Sequence, residues 1–438
     1  MLSFLLTILA GSILLHLPIS SADGRSIPYI DALFTATTAT CVTGLVTVTT
    51  ATAWSIFGQA VILLLIQIGG LGIITVVSGV MVAFHKKMGL RDSQLIQDAF
   101  NLNTLAGLSK FIKKVIIGTL IIEAAGALAY MTVIVPQYGA RGIWISAFNS
   151  VSAFCNAGMD IIGEVSLCEY ATNPIVNGVT EALIILGGIG YIVWWDVIRV
   201  MKDFGKLRFA SFKRLTLHSK IVLSTTAVLI LTGAGLIFAF EYSNPETIGN
   251  MSLFDKIQIS LFQSVTTRTA GFTTIPQENL TNASAMTSML LMFIGGSPVG
   301  TAGGIKTATA AVLLATMICT VKNKNQITLY NRSLSYGVVR KAAAVTFTSF
   351  IILFISSVAL SCATDASMID VIYESVSATA TVGLSRNLTA SLGTLGRIII
   401  ITTMYFGRIG PITLAVAFSS KREAENSIKC PTEDISVG

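Results

Sequence analysis

Four short glycine-bearing loops are the stretches of this chain best suited to chemistry, and the chemistry belongs to their backbone carbonyls. They are Thr40-Cys41-Val42-Thr43-Gly44-Leu45, Phe154-Cys155-Asn156-Ala157-Gly158-Met159, Thr267-Arg268-Thr269-Ala270-Gly271-Phe272 and Thr379-Ala380-Thr381-Val382-Gly383-Leu384. Their glycines lie 114, 113 and 112 residues apart, so one unit of nearly constant length is used four times. A bulky apolar residue follows each glycine (Leu45, Met159, Phe272, Leu384), and Phe34, Phe148, Leu261 or Tyr373 stands ten residues before it. Glycine tolerates unusual backbone angles and lets carbonyls come close to a ligand. A helix that ends before each loop points the negative end of its dipole at the same axis. Four such ends, with four strands of carbonyls, suit a dehydrated monovalent cation. The candidate ion-binding residues are therefore Val42, Thr43, Gly44, Asn156, Ala157, Gly158, Thr269, Ala270, Gly271, Thr381, Val382 and Gly383.

Each loop needs a helix before it and apolar runs on both sides. In the first unit these are the runs 2–17 and 56–84 with a shorter segment 29–39 between them; in the second, 115–135 and 179–200 around 143–154. The third has 221–240 and 285–320 around 253–266, and the fourth 342–360 and 395–417 around 368–378. Eleven helical residues extend about 16 Å, half of a roughly 30 Å hydrocarbon core, so the middle segment must be re-entrant. Two crossings plus one excursion return the chain to its starting side, and all four units point the same way. The expected fold is an all-α polytopic membrane protein: four parallel outer helix, pore helix and inner helix repeats around one pore, with eight transmembrane helices and four re-entrant ones. The repeats fall at 1–85, 113–203, 219–321 and 341–420. Connectors occupy 86–112, 204–218 and 322–340, and a tail occupies 421–438.

Composition agrees. The chain is 53% hydrophobic and 12% charged with a mean hydropathy of +0.75, values that place it in a membrane. The formal net charge of +7 does not point to nucleic acid, because the basic residues are scattered over short loops without an aromatic stacking pattern. Of 29 Lys and Arg, only Arg25, Arg141, Lys256, Arg268, Lys306, Arg386, Arg397 and Arg408 lie within spans or on the glycine-loop side. The connectors, with pairs such as Lys86-Lys87 and Lys421-Arg422, are therefore cytoplasmic, as are both termini, and the loops open outward. The first run lacks a basic leader and a cleavage site and is taken as a retained span. The connector stretch 94–112 has helical periodicity and either lies along the inner interface or is a surface helix. Six cysteines without paired spacing define neither a disulfide framework nor a zinc site, and Cys41 and Cys155 are read as packing residues.

Two features mark a gate. The run 285–320 has 36 residues, about 54 Å of straight helix, and must break; Gly295, Gly296, Pro298, Gly300, Gly303 and Gly304 supply the breakers. Residues 297–307, from Ser297 on, then form a small polar loop in the cavity below the carbonyls, with Lys306 as its charged element. The alternative is a kinked packing helix. The inner runs also carry Gly69-Gly70-Leu71-Gly72, Gly187-Gly188-Ile189-Gly190 and Gly407-Arg408-Ile409-Gly410, so Arg408 replaces a glycine at a hinge. An arginine at mid-membrane costs at least about 2.5–3.5 kcal/mol, which makes it a functional candidate facing water or a partner. The alternative is a structural pair with a carboxylate.

With Ile66-Gln67-Ile68-Gly69-Gly70-Leu71-Gly72, the stretches 150–160 and 264–274, and Gly295 to Thr307, these loops make the whole chain resemble the Trk/Ktr/HKT potassium transporters. It is most similar to the KtrB branch, since no extra hydrophobic hairpin precedes the first unit. The resemblance implies a potassium-translocating subunit of the bacterial cell membrane, a homodimer on a cytosolic KtrA/TrkA-like nucleotide-binding ring. It also implies sodium as an activating ion and regulation by nucleotide through the partner alone. Val299-Gly300 departs from the Gly-Ser usual there.

Other functions fit less well. Secondary transporters with midplane sites are usually built on inverted repeats, and these units are parallel. An intramembrane enzyme needs a nucleophile and base or metal ligands, yet His16, His85 and His218 are far apart and no HExxH occurs. A structural scaffold has no need of four glycine loops. Sodium selectivity on the same fold is the nearest rival; glycine in the first loop, where sodium-preferring plant relatives carry serine, favours potassium.

Overall fold

The computed structural model describes residues 2–83, 108–202, 213–324 and 326–410. Residues 86–107 and 204–212 of the connectors, the end of the last apolar run and the tail 421–438 lie outside the described residues, and with them Lys86, Lys87, Lys421, Arg422 and Cys430.

Helices account for nearly all of the regular structure. They are α1 (Leu2–His16), α2 (Tyr29–Cys41), α3 (Ile56–Leu71), α4 (Ile73–Ala83), α5 (Leu108–Tyr138), α6 (Ala140–Cys155), α7 (Pro174–Gly188) and α8 (Tyr191–Lys202). There follow α9 (Leu217–Glu241), α10 (Leu253–Thr266), α11 (Asn282–Phe293), α12 (Thr307–Val321), α13 (Tyr336–Ala363), α14 (Met368–Ala380) and α15 (Thr394–Ile409). One departure from an all-α chain sits in the connector at 322–340, where Thr328–Leu329 pairs with Arg332–Ser333. Tyr330 and Asn331 make the tight turn, at φ 50° and 59°, as two-residue hairpins require.

Side-chain caps fix where several helices begin. Ser55, Asn173, Thr216, Ser252, Thr281 and Ser367 each accept a backbone N–H of the first turn. In α10 and α14 the cap is reciprocal, with the Ser252 hydroxyl on Asp255 and the Ser367 hydroxyl on Asp370, 2.6 Å in both.

One packing pattern recurs. α1 lies on α2, α5 on α6, α9 on α10 and α13 on α14. α3 then packs on α6, α7 on α10, α11 on α14 and α15 on α2, so the last set closes against the first. The short helices α2, α6, α10 and α14, of 13, 16, 14 and 13 residues, are thereby held inside. α13 presents Phe347, Phe350, Phe354 and Ile355 outward, an apolar face suited to lipid.

Among the described residues, α5, α9 and α13 are each long and apolar enough to cross a membrane, and α7 with α8 makes a fourth if taken together. The runs 56–84 and 179–200, expected as single spans with a glycine hinge, are both broken. Gly72 (φ 82°) separates α3 from α4, and α7 meets α8 at 101° across Gly190 (φ 89°). The run 285–320 is broken as its glycines require, between α11 and α12.

Candidate functional site

The four glycine loops share one backbone. α2, α6 and α14 end on left-handed residues, Val42 (φ 56°), Asn156 (59°) and Thr381 (52°); α10 ends earlier, and Thr269 (65°) takes the equivalent place. Two residues on, Gly44, Gly158, Gly271 and Gly383 have φ of 99°, 64°, 82° and 96°. A left-handed conformation costs an ordinary residue about 1–2 kcal/mol, so these loops persist only because their surroundings hold them.

Part of that hold comes from amides turned back to the helix. Thr43, Ala157 and Val382 donate to the carbonyls of Thr38, Ser152 and Ser377, all at 2.8 Å, and Ala270 donates to Thr266 at 2.9 Å. Side-chain hydroxyls do the rest. Thr38 accepts from Gly44 N–H (2.9 Å), Ser377 from Gly383 N–H (3.0 Å) and Ser152 from Met159 N–H (3.2 Å), while Thr266 donates to the Phe272 carbonyl (2.6 Å). Sequence reasoning passed over these four residues. Their signal was a Ser or Thr five or six positions before every glycine.

The loops meet edge to edge. A Cβ at Gly44 falls against the carbonyl of Ala157, one at Gly158 against Ala270, one at Gly271 against Val382, and one at Gly383 against Thr43, none farther than 2.6 Å. Each loop thus abuts the next, and the fourth returns to the first. The gap is narrow: a Cβ at Gly44 or Gly271 comes within about 3.2 Å of the Cα atoms of Gly158 and Gly383. Eight of the twelve candidate ion-binding residues make these contacts, and the other four, Val42, Asn156, Thr269 and Thr381, are the left-handed residues that lead into them. The hydroxyls of Thr43, Thr379 and Thr381, buried here, have no hydrogen-bond partner among the described residues.

Every joint between neighbouring loops is braced. Trp144 Nε1 donates to Gln59 (2.9 Å) between the first and second helix sets, and Leu167 N–H to the Thr273 carbonyl (3.0 Å) between the second and third. Arg386 joins the third and fourth, bonding Asp370 (2.7 Å) and the carbonyls of Gln277 and Glu278 (2.9 Å each). Arg397 pairs with Asp31 at 2.6 Å across the seam where chain end meets chain start. Arg386 and Arg397, expected within spans or on the glycine-loop side, are therefore structural clamps.

Beneath the ring lies the segment between α11 and α12, pinched at its neck by pairing of Ile294 with Ile305. Expected as a loose loop in the cavity, it is docked on three sides. Gly303 N–H donates to the Thr269 hydroxyl (3.0 Å), and the Thr301 hydroxyl bonds the Phe154 carbonyl and Asn156 side chain (3.1 Å each), tying the segment to the second and third glycine loops. Ser297 and Thr301 donate backbone N–H groups to Gly188 and Gly187, and Tyr191 donates to the Val299 carbonyl, tying it to the bend between α7 and α8. The Gly295 carbonyl accepts from Arg268 (2.7 Å), and the Gly296 carbonyl from Thr307 N–H (2.9 Å).

Arg408 completes the arrangement. Its guanidinium donates to the Thr301 carbonyl and to the Gly69 carbonyl of α3, 2.7 Å each, with no carboxylate among its hydrogen-bond partners in the described residues. It spans from α15 to the docked loop and to the first inner helix, just inside the ring. Lys306 is turned back on the loop, its ammonium on the Ala302 carbonyl at 2.6 Å. A cavity of about 360 Å³ lined by Gly300, Gly303, Gly304, Lys306, Thr379 and Arg408 opens here. On the opposite side of the ring a vestibule of about 380 Å³ meets all four glycines and carries Asp160, Glu164 and Glu278. Asp160 is half-buried in its wall; burial pushes the carboxyl up to about 6, against the pull of Ser166 and the Ile162 amide. Cys41 and Cys155 are buried free thiols.

Residues 5–430 match the family model TrkH, described as a cation transport protein. The chain is 39% identical to the Ktr system potassium uptake protein B of Bacillus subtilis (strain 168), over all of this chain and 95% of the relative. It is 37% identical to the potassium/sodium uptake protein NtpJ of Enterococcus hirae, over 99% and 95%. The crystal structure of the potassium transporter TrkH from Vibrio parahaemolyticus superposes with a TM-score of 0.74 at 17% identity, over 95% of this chain and 85% of that one, a likeness of fold. These relatives are transporters and not enzymes, as the scattered histidines led one to expect. The chain is a member of the TrkH family of cation transport proteins.

Proposed function

We propose that this protein takes up potassium across the bacterial cell membrane through the glycine-loop ring, which acts as its selectivity filter. The observation that carries the reading is the closed sequence of contacts from Gly44 through Gly158 and Gly271 to Gly383 and back to Thr43. A ring this narrow, walled by backbone carbonyls and flanked by unpartnered threonine hydroxyls, offers oxygen ligands to an ion stripped of water. The names of the Bacillus subtilis and Enterococcus hirae relatives support potassium as cargo. The latter also names sodium, which keeps sodium as the alternative ion.

The finer organisation follows from the same reading. Four parallel repeats at 1–85, 113–203, 219–321 and 341–420 surround the pore, with both termini cytoplasmic. The segment Gly295 to Lys306 and Arg408 form the gate, in which a fixed positive charge on the axis slows a cation more than it would in water. The word "system" in the first relative's name supports a partner subunit. We take that partner to be a cytosolic nucleotide-binding ring beneath a homodimer of this chain, pulling on α12 to release the loop.

Rubidium uptake by cells lacking potassium transport, with sodium as competitor, tests the central reading. Uptake resistant to excess sodium is expected; equal uptake of both ions would overturn potassium selectivity.

A further inference from the structure

The loop under the ring holds a residue in a backbone state that its side chain opposes. Val299 has φ 63°, in the left-handed region, where a β-branched residue is a genuine outlier. Val299 does not sit there by intrinsic preference. On one side Ser297 N–H bonds Gly188, on the other Thr301 N–H bonds Gly187, and the Val299 carbonyl itself accepts from Tyr191 N–H at 3.1 Å. The three bonds bracket Val299 and reach only the α7–α8 bend. The fit is close as well. A Cβ on Gly300 comes within 2.9 Å of the Gly187 carbonyl, and one on Gly190 strikes the Pro298 carbonyl.

We infer that the α7–α8 bend is the seat of the loop and that Val299 is a positioning residue whose strained backbone biases the loop toward leaving it. Docking forces Val299 into the left-handed state, and release lets it relax to extended or helical angles. The seat and the strain therefore oppose each other, so the docked state is less favoured than its hydrogen bonds alone would make it. The bend supplies the seat because its helix is interrupted: the carbonyls of Gly187 and Gly188 and the N–H of Tyr191 are free of helical partners to face the loop. The consequence for transport rests on the gate proposed above, whereas the loop's balance between docked and released does not.

The test is amide hydrogen exchange of the full-length protein in lipid nanodiscs, read over peptides containing Ser297 and Thr301. Val299→Asn and Val299→Gly both admit the left-handed state without a β-branch. Exchange there is expected to slow, by roughly 5- to 30-fold if the whole strain is relieved, and less for glycine, whose extra freedom when released offsets part of the gain. Gly190→Ala, which sets a methyl group against the Pro298 carbonyl, is expected to speed exchange. Wild-type or faster exchange in both Val299 variants, or unchanged protection in Gly190→Ala, overturns the inference. Rubidium flux through the same preparations separates the two readings. Slower exchange with lower flux supports both, and slower exchange with unchanged flux keeps the strained seat but removes the loop from gating.

Discussion

The glycine ring and the layer directly beneath it are built on opposite plans. In the ring, four stretches of different sequence adopt one backbone: left-handed residue, spacer, left-handed glycine, with a hydroxyl behind. In the layer beneath, equivalent inner helices do four different things. α3 offers a carbonyl from Gly69, α7 bends by 101° and seats a loop, the third breaks to become that loop, and α15 sends Arg408 across. Equal surroundings suit an ion that must see the same oxygens from every side. Unequal ones suit a part with two positions, because only one of four elements has to move. On the proposed reading selectivity and rate are set in adjacent layers, and substitutions should separate them.

The largest expected effect is in the symmetric layer. Gly271→Ser places a Cβ 2.5 Å from the Val382 carbonyl and asks serine to hold φ 82°. Strain of about 1–2 kcal/mol in a ring of interlocked loops corresponds to roughly tenfold loss of preference for rubidium over sodium, with weaker apparent affinity. Serine at Gly44, Gly158 or Gly383 should act alike in kind. Competition experiments decide; unchanged preference in a normally expressed Gly271→Ser protein removes that loop from the filter.

In the asymmetric layer the effect should fall on rate. Arg408→Ala removes a charged hydrogen bond to the Thr301 carbonyl of the loop and the one to Gly69 that anchors the arginine on α3, each worth about 1.5–3 kcal/mol. We expect maximum rubidium flux in liposomes to rise by about tenfold or more and to depend less on a cytosolic partner, while preference over sodium stays near wild type. Deleting residues within 300–304 should also raise flux, but it removes the Gly303 bond to Thr269 as well, so a small selectivity change there is a measure of how far the layers are coupled. If Arg408→Ala disturbs preference as strongly as Gly271→Ser, the two layers are not separable.

The smallest effect lies in the vestibule, which on the proposed topology faces outward. With its carboxyl titrating near 6, Asp160 is negative above that pH and neutral below it. One charge at about 10 Å in water changes cation attraction by roughly twofold. Lowering external pH from 7 to 5 should weaken apparent potassium affinity by about that factor, and Asp160→Asn should abolish the difference.

Much of the symmetric layer was legible in the sequence because a backbone role fixes residue type. Glycine is needed where φ is positive and carbonyls crowd, so four glycines at constant spacing disclosed the loops. The break between α11 and α12 was legible for a related reason, a run too long for one crossing. Arg408 stood out as a charge among glycines. What hydropathy could not disclose was direction. The run 179–200 is largely apolar yet turns by 101°, because Gly190 and the docked loop satisfy the backbone that the bend exposes. Nor does any local pattern say that Arg408 will find two carbonyls in place of a carboxylate, since Thr301 and Gly69 lie 107 and 339 residues away in the chain.

The seam between α15 and α2 has a bearing on biosynthesis. Arg397 and Asp31, which clamp it, are 366 residues apart, and Gly383 of the fourth loop abuts the Thr43 carbonyl of the first. At about 5–20 residues per second, the first loop waits tens of seconds in the membrane before the fourth is made. Until then the first and third loops each lack the neighbour that the fourth will supply. A chain that has not yet reached α14 therefore has no closed ring, because the contacts of Gly383 with Thr43 and Gly44 require the fourth loop.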